Sequence, residues 1–200
     1  VGAALDATVA DWSALWQHAR ETTGATIVQQ TVLDTSQPLF GGHDRMVPGT
    51  PFHVVTRLND MLAQAAAAQH VALLDVARAA ARDGLDAWFD RARWLQAKME
   101  IAPQAAPMFA ELLVRIVVAM RGRSRKCLVL DLDDTIWGGI VGEAGLAGLV
   151  LGPGSAAGEA FAAVQRHAKS LAERGVILAI CSKNDPKIAE AAFRDHPEMV

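Results

Sequence analysis

An apolar run that ends in three carboxylates is the stretch of this sequence best suited to chemistry. Residues 128–130 (Leu-Val-Leu) are predicted to form a buried strand, because the run is too short and too rich in β-forming residues for a helix. Asp131, Asp133 and Asp134 follow at its carboxyl end, where open α/β sheets place their ligand sites. Carboxylates this close repel one another unless a cation neutralises them. Asp131 and Asp133, at alternate positions, can direct oxygen atoms to one hard cation such as Mg²⁺.

The same carboxylates suit phosphoryl transfer. An oxygen of Asp131 that does not bind the cation can attack phosphorus, and Asp133 can carry a proton to or from a reacting oxygen. The alternative is an Asp-rich turn or helix N-cap, because Asp is frequent at both. Since the acids follow directly on a buried strand, the sequence favours the chemical interpretation.

A second polar cluster follows a second predicted buried strand, at residues 176–180. It has the sequence Cys-Ser-Lys-Asn-Asp and spans residues 181–185. A helix predicted from Ser155 to about Arg174 separates the two strands, which makes them parallel neighbours joined by a right-handed crossover. The hydroxyl or amide of this cluster can bind a phosphoryl oxygen, and its lysine can supply charge. Capping of the next helix by Ser182 and Asn184 is the alternative, and the two roles are compatible because helix N-termini bind anions.

The elements around these clusters alternate between strand and helix, which predicts a parallel α/β fold. A glycine-rich stretch, residues 136–145, is predicted to form a small β-hairpin or flap that excludes water from the carboxylates. A basic connector at residues 121–126 predicts a domain boundary, giving domains 1–122 and 123–200. In the first domain, helices are predicted over 5–20, 52–69, 77–82 and 103–120, strands over 25–33 and 71–76, and a loop over 34–51.

Composition narrows the class of protein. The formal net charge of -3 argues against a general nucleic-acid binder. Cys127 and Cys181 are too few for a disulfide framework, so reduced thiols and a cytoplasmic location are expected. No apolar run is expected to reach the roughly 18 residues of a membrane span. The missing initiator Met and the unfinished α/β pattern predict that the sequence is a fragment.

The aromatic residues near the middle of the first domain have two interpretations. Asp90 and Lys98 are flanked by Trp88, Phe89 and Trp94, so they can line a groove. An aromatic patch that packs against the next domain explains the same residues equally well. The other polar residues of this domain, His43, Asp44, His53 and Asp75, are predicted to be structural or solvating.

The two polar clusters resemble those of a known superfamily. The pattern Asp-x-Asp-x-Thr after a strand, with Ser at the next strand end, resembles the haloacid dehalogenase (HAD) phosphatases. Residues 126–143, 158–161, 181–185 and 196–200 resemble the FkbH-like, type IIIC branch almost continuously, which implies a truncated HAD-like Rossmannoid sheet. Leu74-Asp-Val, Trp88-Phe-Asp and Ala97-Lys98 resemble the SGNH-hydrolase-like domain that precedes it in longer members, although the hydrolase Ser and Asp-x-x-His are not recognisable.

This resemblance implies a specific activity. FkbH-like proteins dephosphorylate 1,3-bisphosphoglycerate and load a glyceryl unit onto an acyl carrier protein, for polyketide extender or starter units. By the same resemblance, Asp131 is the nucleophile and a Mg²⁺ ligand, and Asp133 is the general acid/base that also offers its backbone carbonyl to the metal. Cys181 is the candidate acyl acceptor, since the product is a thioester. The expected phosphate-binding residues are Thr135, Ser182, Lys183 and Asn184.

Two departures from the family pattern affect the expected metal site. Asp134 stands where family members commonly have Asn, and its extra negative charge is expected to tighten cation binding or to alter the charge preference for the substrate. The later Lys and the later acidic metal-ligand motif of the family are not found by Val200, so an incomplete metal site and little activity are expected. A plain HAD phosphatase and a carrier-protein docking module in residues 1–122 are the competing functions.

Overall fold

The computed structural model describes residues 1–200, which divide into two compact units, Val1–Gly122 and Arg123–Val200. Each unit is a mixed α/β structure with one small parallel sheet of two strands. The predicted α/β class with parallel strands is therefore confirmed. The assignment of the units to SGNH-like and HAD-like domains stays a prediction.

The first unit is mainly helical. It contains, in chain order, α1 (Gly2–Thr23), β1 (Val28–Gln30), α2 (Pro51–Ala68), β2 (Ala72–Leu74), α3 (Val76–Asp83), α4 (Leu85–Trp88), α5 (Arg91–Ala97) and α6 (Ala106–Met120). Short 3-10 helices, Gly41–Met46 and Pro103–Ala105, complete it. The predicted helices are confirmed, whereas α4, α5 and the 3-10 turn within the predicted loop were missed because each is too short to show helical periodicity.

Local signals explain where these helices start and stop. The Thr50 side chain accepts a hydrogen bond from the His53 N–H, and Pro51 occupies the first turn of α2, as helix starts prefer. Gly24 ends α1 in the left-handed conformation, with φ of 65°. Both strands are shorter than predicted, and β2 ends early because Asp75 caps α3 and Val76 begins it.

Two clusters of buried side chains form the core of the first unit. One joins α1, α2 and the start of β2 through Trp16, Leu62, Ala66 and Val71. The other lies around Trp88 and Leu74, and α6 packs against it. The residues of α6 that make this contact are Met108, Phe109, Leu112, Leu113 and Ile116. Val114, on the same helix, is exposed to solvent.

The segment Pro103–Met120 corrects one expectation from composition. By length and composition it is apolar enough to cross a membrane, although no apolar run of that kind was expected. Part of its apolar surface has another explanation, because one face of α6 packs against the Trp88 cluster.

The second unit carries the two polar clusters. Its elements are β3 (Cys127–Leu130), α7 (Val141–Ala144), a 3-10 turn (Leu146–Gly148), α8 (Ala156–Glu173), β4 (Ile177–Ile180) and α9 (Pro186–Asp195). The Ser155 side chain accepts from the Gly158 N–H and starts α8, as predicted. Gly175, with φ of 90°, follows the end of this helix and turns the chain into β4.

The strands of the second unit are less buried than the sequence predicted. Val129 is 59% exposed, Ile177 65% and Ile180 54%. Cys127, the first residue of β3, is exposed as well. The reason is that a sheet of two strands leaves much of each strand uncovered. The core lies instead in the segment after β3, at Leu132, Ile136, Trp137, Val141 and Leu149, with Ala192 of α9.

Candidate active site

The carboxyl ends of β3 and β4 lie side by side. The strands are parallel, with Leu130 opposite Ile180, and the Cys181 N–H donates to the Leu130 carbonyl at 2.9 Å. Asp131 and Cys181 therefore follow neighbouring strand ends at one edge of the sheet. The predicted adjacency of the two polar clusters is confirmed.

Asp133 is the residue that joins the two strand ends. Its Oδ1 accepts hydrogen bonds from the Trp137 indole N–H at 3.0 Å and from the Val141 backbone N–H at 3.1 Å. Its Oδ2 accepts from the Asn184 side-chain amide at 2.8 Å. Three donors from the segment after β3, from α7 and from the segment after β4 thus meet at one carboxylate.

These contacts set the protonation of Asp133. Partial burial raises the pKa of Asp133, whereas hydrogen bonds from Trp137, Asn184 and the Val141 N–H lower it. Together the hydrogen bonds outweigh the burial, so the pKa lies below its ordinary value. Asp133 is consequently a carboxylate at neutral pH, and the same hydrogen bonds make it a weaker proton acceptor than an ordinary Asp. Its predicted role as general acid/base stays a prediction, and acting as an acid requires that it first take up a proton.

Asp131 and Asp134 differ in how much of each carboxylate is free. Asp131 is exposed, and its carboxylate accepts a single hydrogen bond, from the Leu132 N–H at 2.8 Å. Asp134 has a left-handed backbone, with φ of 52°, and its carboxylate accepts from the Gly139 N–H at 2.7 Å. The side chain of Asp134 therefore supports a turn, whereas that of Asp131 retains an oxygen for a ligand.

The glycine-rich stretch is packed, not flap-like, which corrects the prediction. Trp137 is fully buried and meets the Phe193 ring edge-on, with ring centroids 5.5 Å apart. Gly138 pairs with Val150 through two backbone hydrogen bonds of 3.0 and 2.9 Å, and an added Cβ would lie 2.9 Å from the Phe161 ring. Only this single antiparallel bridge resembles a hairpin; α7 follows it. Ile136, Trp137 and Val141 of this stretch are buried in the core, whereas Ile140 is exposed.

The second strand end also differs in detail from its prediction. Ser182 Oγ accepts from the Asn184 N–H at 3.2 Å, and the Asn184 side chain turns to Asp133. The cap of α9 is Asp185, which accepts from the Lys187 N–H, so capping by Ser182 or Asn184 is wrong. The Asp-Pro pair at 185–186 is a typical helix start and was the signal for this cap.

The remaining predicted residues stay close in sequence to the strand ends, and their roles stay predictions. Thr135, Lys183 and Cys181 are exposed. Two residues that the sequence analysis missed support the site from within: Trp137, and Gln165 of α8. The buried Gln165 amide donates to the Ile136 carbonyl at 2.7 Å, and its oxygen accepts from the Val200 N–H at 3.0 Å. The only sequence signal for Gln165 was that a polar residue stands on the inner face of an amphipathic helix.

The donor set suits part of a magnesium site. Mg²⁺ prefers carboxylate and carbonyl oxygens and keeps several water ligands, so few protein ligands suffice. The free oxygen of Asp131 meets this chemistry, and the resemblance adds the backbone carbonyl of Asp133. The side-chain oxygens of Asp133 already accept hydrogen bonds from N–H donors, so its carboxylate is not assigned to the metal. No group of three or more His, Cys, Asp or Glu side chains that could hold a metal ion lies together in residues 1–200, at this edge of the sheet or anywhere else.

Comparison with known proteins gave one informative result. No family model matches the sequence, and no curated protein matches it. A crystal structure of the N-terminal part of the protein BF1531 from Bacteroides fragilis, containing a phosphatase domain complexed with Mg, is similar to the whole chain, with a TM-score of 0.86 and 28% sequence identity. The present chain covers 54% of that chain, about half its length. The Mg in that structure agrees with the cofactor that the sequence predicts here.

Proposed function

We propose that this chain carries the nucleophile and phosphate-binding part of a Mg²⁺-dependent phosphatase of the HAD type. The observation that carries the proposal is the hydrogen bond of 2.8 Å from Asn184 to Asp133, which brings both predicted polar clusters to one site beside the free carboxylate of Asp131. The similarity to a phosphatase domain complexed with Mg supports the same class of reaction.

The proposed reaction has two displacements at phosphorus. In the first, a carboxylate oxygen of Asp131 attacks phosphorus and the bond to the leaving oxygen breaks, with Asp133 supplying the proton that this oxygen takes. In the second, Asp133 removes a proton from water, which attacks the aspartyl phosphate and restores Asp131. Ser182 and Lys183 bind the phosphoryl oxygens. Mg²⁺, when bound, neutralises negative charge on the phosphoryl group.

The finer proposal concerns the substrate, and the resemblance of residues 123–200 to FkbH-like proteins supports it. The substrate is 1,3-bisphosphoglycerate, and the product is a glyceryl thioester on an acyl carrier protein. The Cys181 thiolate attacks the acyl carbon, the acyl–oxygen bond to phosphate breaks, and the carrier thiol then displaces Cys181. Asp131 removes the remaining phosphomonoester. The exposure of Cys181 at the end of β4 is compatible with such an exchange.

Two other functions compete with this one. A plain phosphatase on a small metabolite uses Asp131 and leaves Cys181 inert. A docking module uses residues 1–122 to bind a carrier protein without any chemistry. The FkbH-like assignment is preferred because the sequence resemblance extends beyond the two carboxylates, through 181–185 and 196–200.

The class of reaction is tested on the full-length protein with p-nitrophenyl phosphate. We expect hydrolysis that needs Mg²⁺, is abolished by EDTA, and falls at least about a thousandfold in Asp131→Asn because the nucleophile is lost. Asp134→Asn is the matched control: it removes a neighbouring charge but keeps the acceptor for the Gly139 N–H, and it should retain activity. Equal rates in Asp131→Asn and the wild type would overturn the proposal.

The substrate is tested separately. After incubation with 1,3-bisphosphoglycerate, mass spectrometry should find a glyceryl adduct on Cys181 that Cys181→Ser lacks, and carrier protein should remove it. Mg²⁺-dependent phosphate release without an adduct would support the plain phosphatase. Carrier binding by residues 1–122, with no phosphate release by the full-length protein, would support the docking module.

A further inference from the structure

A cavity of about 450 Å³ lies in the first unit, beside the carboxyl end of β1. Its walls include three aromatic side chains, Trp12, Phe89 and Trp94, which we call the aromatic groove. Gln30 and Glu100 also line it. The volume lies in the range of small-molecule sites, and the carboxyl end of a parallel strand is where such sites form in α/β folds.

The tryptophans of the groove differ from the other tryptophans of the chain. The indole N–H groups of Trp16, Trp88 and Trp137 donate to Gln29, Asp83 and Asp133. The indoles of Trp12 and Trp94 have no acceptor within the protein, and Trp94 is 39% exposed. Buried tryptophans usually pair their N–H within the protein, whereas the N–H groups of Trp12 and Trp94 are free to bond water or a ligand.

Glu100 gives the groove a negative charge without a cationic partner. Its Oε2 accepts from the Gln30 amide at 2.9 Å and its Oε1 from the Leu33 N–H at 3.5 Å, which fixes the carboxylate in place. None of the ion pairs in the chain includes Glu100. Arg91 reaches the Thr35 carbonyl instead, at 3.4 Å. A half-buried carboxylate held by neutral donors favours a cation nearby.

The chain itself shows that this aromatic surface accepts a cation. Lys98 Nζ lies 5.4 Å from the centroid of the Trp94 ring. The Phe89 and Trp94 ring centroids are 6.4 Å apart and the rings are inclined at 48°, so Phe89 packs against Trp94 and helps to hold its ring in place. An aromatic face beside a carboxylate suits recognition of an ammonium group on an organic molecule.

We propose that the aromatic groove binds a small organic ammonium ion, held against the face of Trp94 that Lys98 covers and neutralised by Glu100. Lys98 occupies the face of Trp94 when the ligand is absent and is displaced when it binds. This site is separate from the proposed phosphatase site, since all of its residues belong to the first unit. Neither proposal depends on the other.

The probe is choline, compared with 3,3-dimethylbutan-1-ol, which has the same shape but carries a carbon in place of the charged nitrogen. Titration of the whole chain by calorimetry should show saturable choline binding, and the neutral alcohol should bind at least about tenfold more weakly. Butylammonium tests a primary ammonium in the same way. Equal binding of choline and the alcohol, or no binding of either cation up to about 10 mM, would overturn the proposal.

Three variants locate the site. Trp94→Leu should abolish choline binding, and Glu100→Gln should weaken it about tenfold, because each removes one of the attractive groups. Lys98→Met should strengthen binding a few-fold, since the competing cation is lost. Leu95→Ala is the control: Leu95 neighbours Trp94 on α5, does not line the groove and is 67% exposed, so binding should not change. Unchanged affinity in folded Trp94→Leu, or weaker binding in Lys98→Met, would contradict the assignment.

Discussion

The side-chain amide of Asn184 donates to Asp133 Oδ2 across the ends of two neighbouring strands, at 2.8 Å. Asp133 follows β3 and Asn184 follows β4, so the bond spans the edge at which the candidate active site lies. It also helps to hold the pKa of Asp133 below its ordinary value. The same contact therefore positions the carboxylate and favours its charged form.

Replacing Asn184 tests this relationship. Asn184→Ala removes one donor and should lower the free energy of unfolding by about 1.5–3 kcal/mol, the usual worth of a hydrogen bond to a charged group. Asn184→Asp should be worse, because it places a second carboxylate against the first. Denaturant unfolding of the two variants measures the difference. An Asp variant as stable as the Ala variant would show that the two side chains do not meet.

The indole of Trp137 contributes to stability both by packing and by a hydrogen bond, and two substitutions distinguish these contributions. Trp137→Phe keeps an aromatic ring against Phe193 but loses the donor to Asp133, so we expect a loss of about 1–3 kcal/mol. Trp137→Ala also leaves a cavity and should cost about 3–5 kcal/mol. Thermal unfolding measures both changes. Trp94→Phe is the control, because the Trp94 indole has no acceptor in the protein, and a comparable loss there would point to a general effect of the substitution.

Gly158, near the start of α8, lies so close to the backbone of Gly152 that a side chain at this position should be destabilising. An added Cβ at Gly158 would lie 2.5 Å from the Gly152 carbonyl oxygen, whereas an added Cβ at Gly154 meets nothing within 4 Å. Gly158→Ala should therefore destabilise the unit by about 1–3 kcal/mol despite the better helix propensity of Ala. Gly154→Ala should be nearly neutral. Chemical denaturation measures the free energy of unfolding of the two variants. Equal stabilities would mean that the backbone around Gly152 leaves room for a methyl group at position 158.

Asp83 should make the stability of the first unit depend on pH. Hydrogen bonds from Arg82 and from the Trp88 indole lower its pKa from the ordinary value of 3.8. A carboxyl whose pKa is lower in the folded than in the unfolded chain adds stability above the unfolded value and loses it as the pH falls through the folded value. Asp83→Asn should thus be less stable than the wild type at pH 7, and the difference should shrink below pH 3.8. Acid titration followed by circular dichroism measures it; a constant difference would contradict the assignment.

Local sequence signals predicted much of the fold. Helices α2 and α8 begin at the capping residues Thr50 and Ser155, and α1 ends at Gly24. Strands β3 and β4 were found because their apolar runs are bounded by polar clusters. Their burial was predicted wrongly, since periodicity identifies a strand but does not say which elements cover it.

The candidate site was only half predictable. The order of the strands placed Asp131 and residues 181–185 at one edge, because parallel strands end together. The partners of Asp133 could not be predicted, as they depend on long-range packing: Trp137 turns into the core, and Asn184 approaches from the other strand end. The role of Asp134 in a turn depends on a left-handed backbone that its residue type permits but does not require.

The bond between Asp133 and Asn184 has a consequence for how the protein acquires its site. The two residues are 51 positions apart, so the bond closes a long loop, and the entropy lost in that closure is recovered only when α8 and both strands are in place. A nascent chain that has emerged only as far as α8 already contains every carboxylate of the first cluster and the Trp137 and Val141 donors, yet it lacks the Asn184 amide that joins Asp133 to the second strand end. Assembly of the reactive geometry is therefore a late event in folding, and chains halted earlier should be inert even though their principal acids are already present.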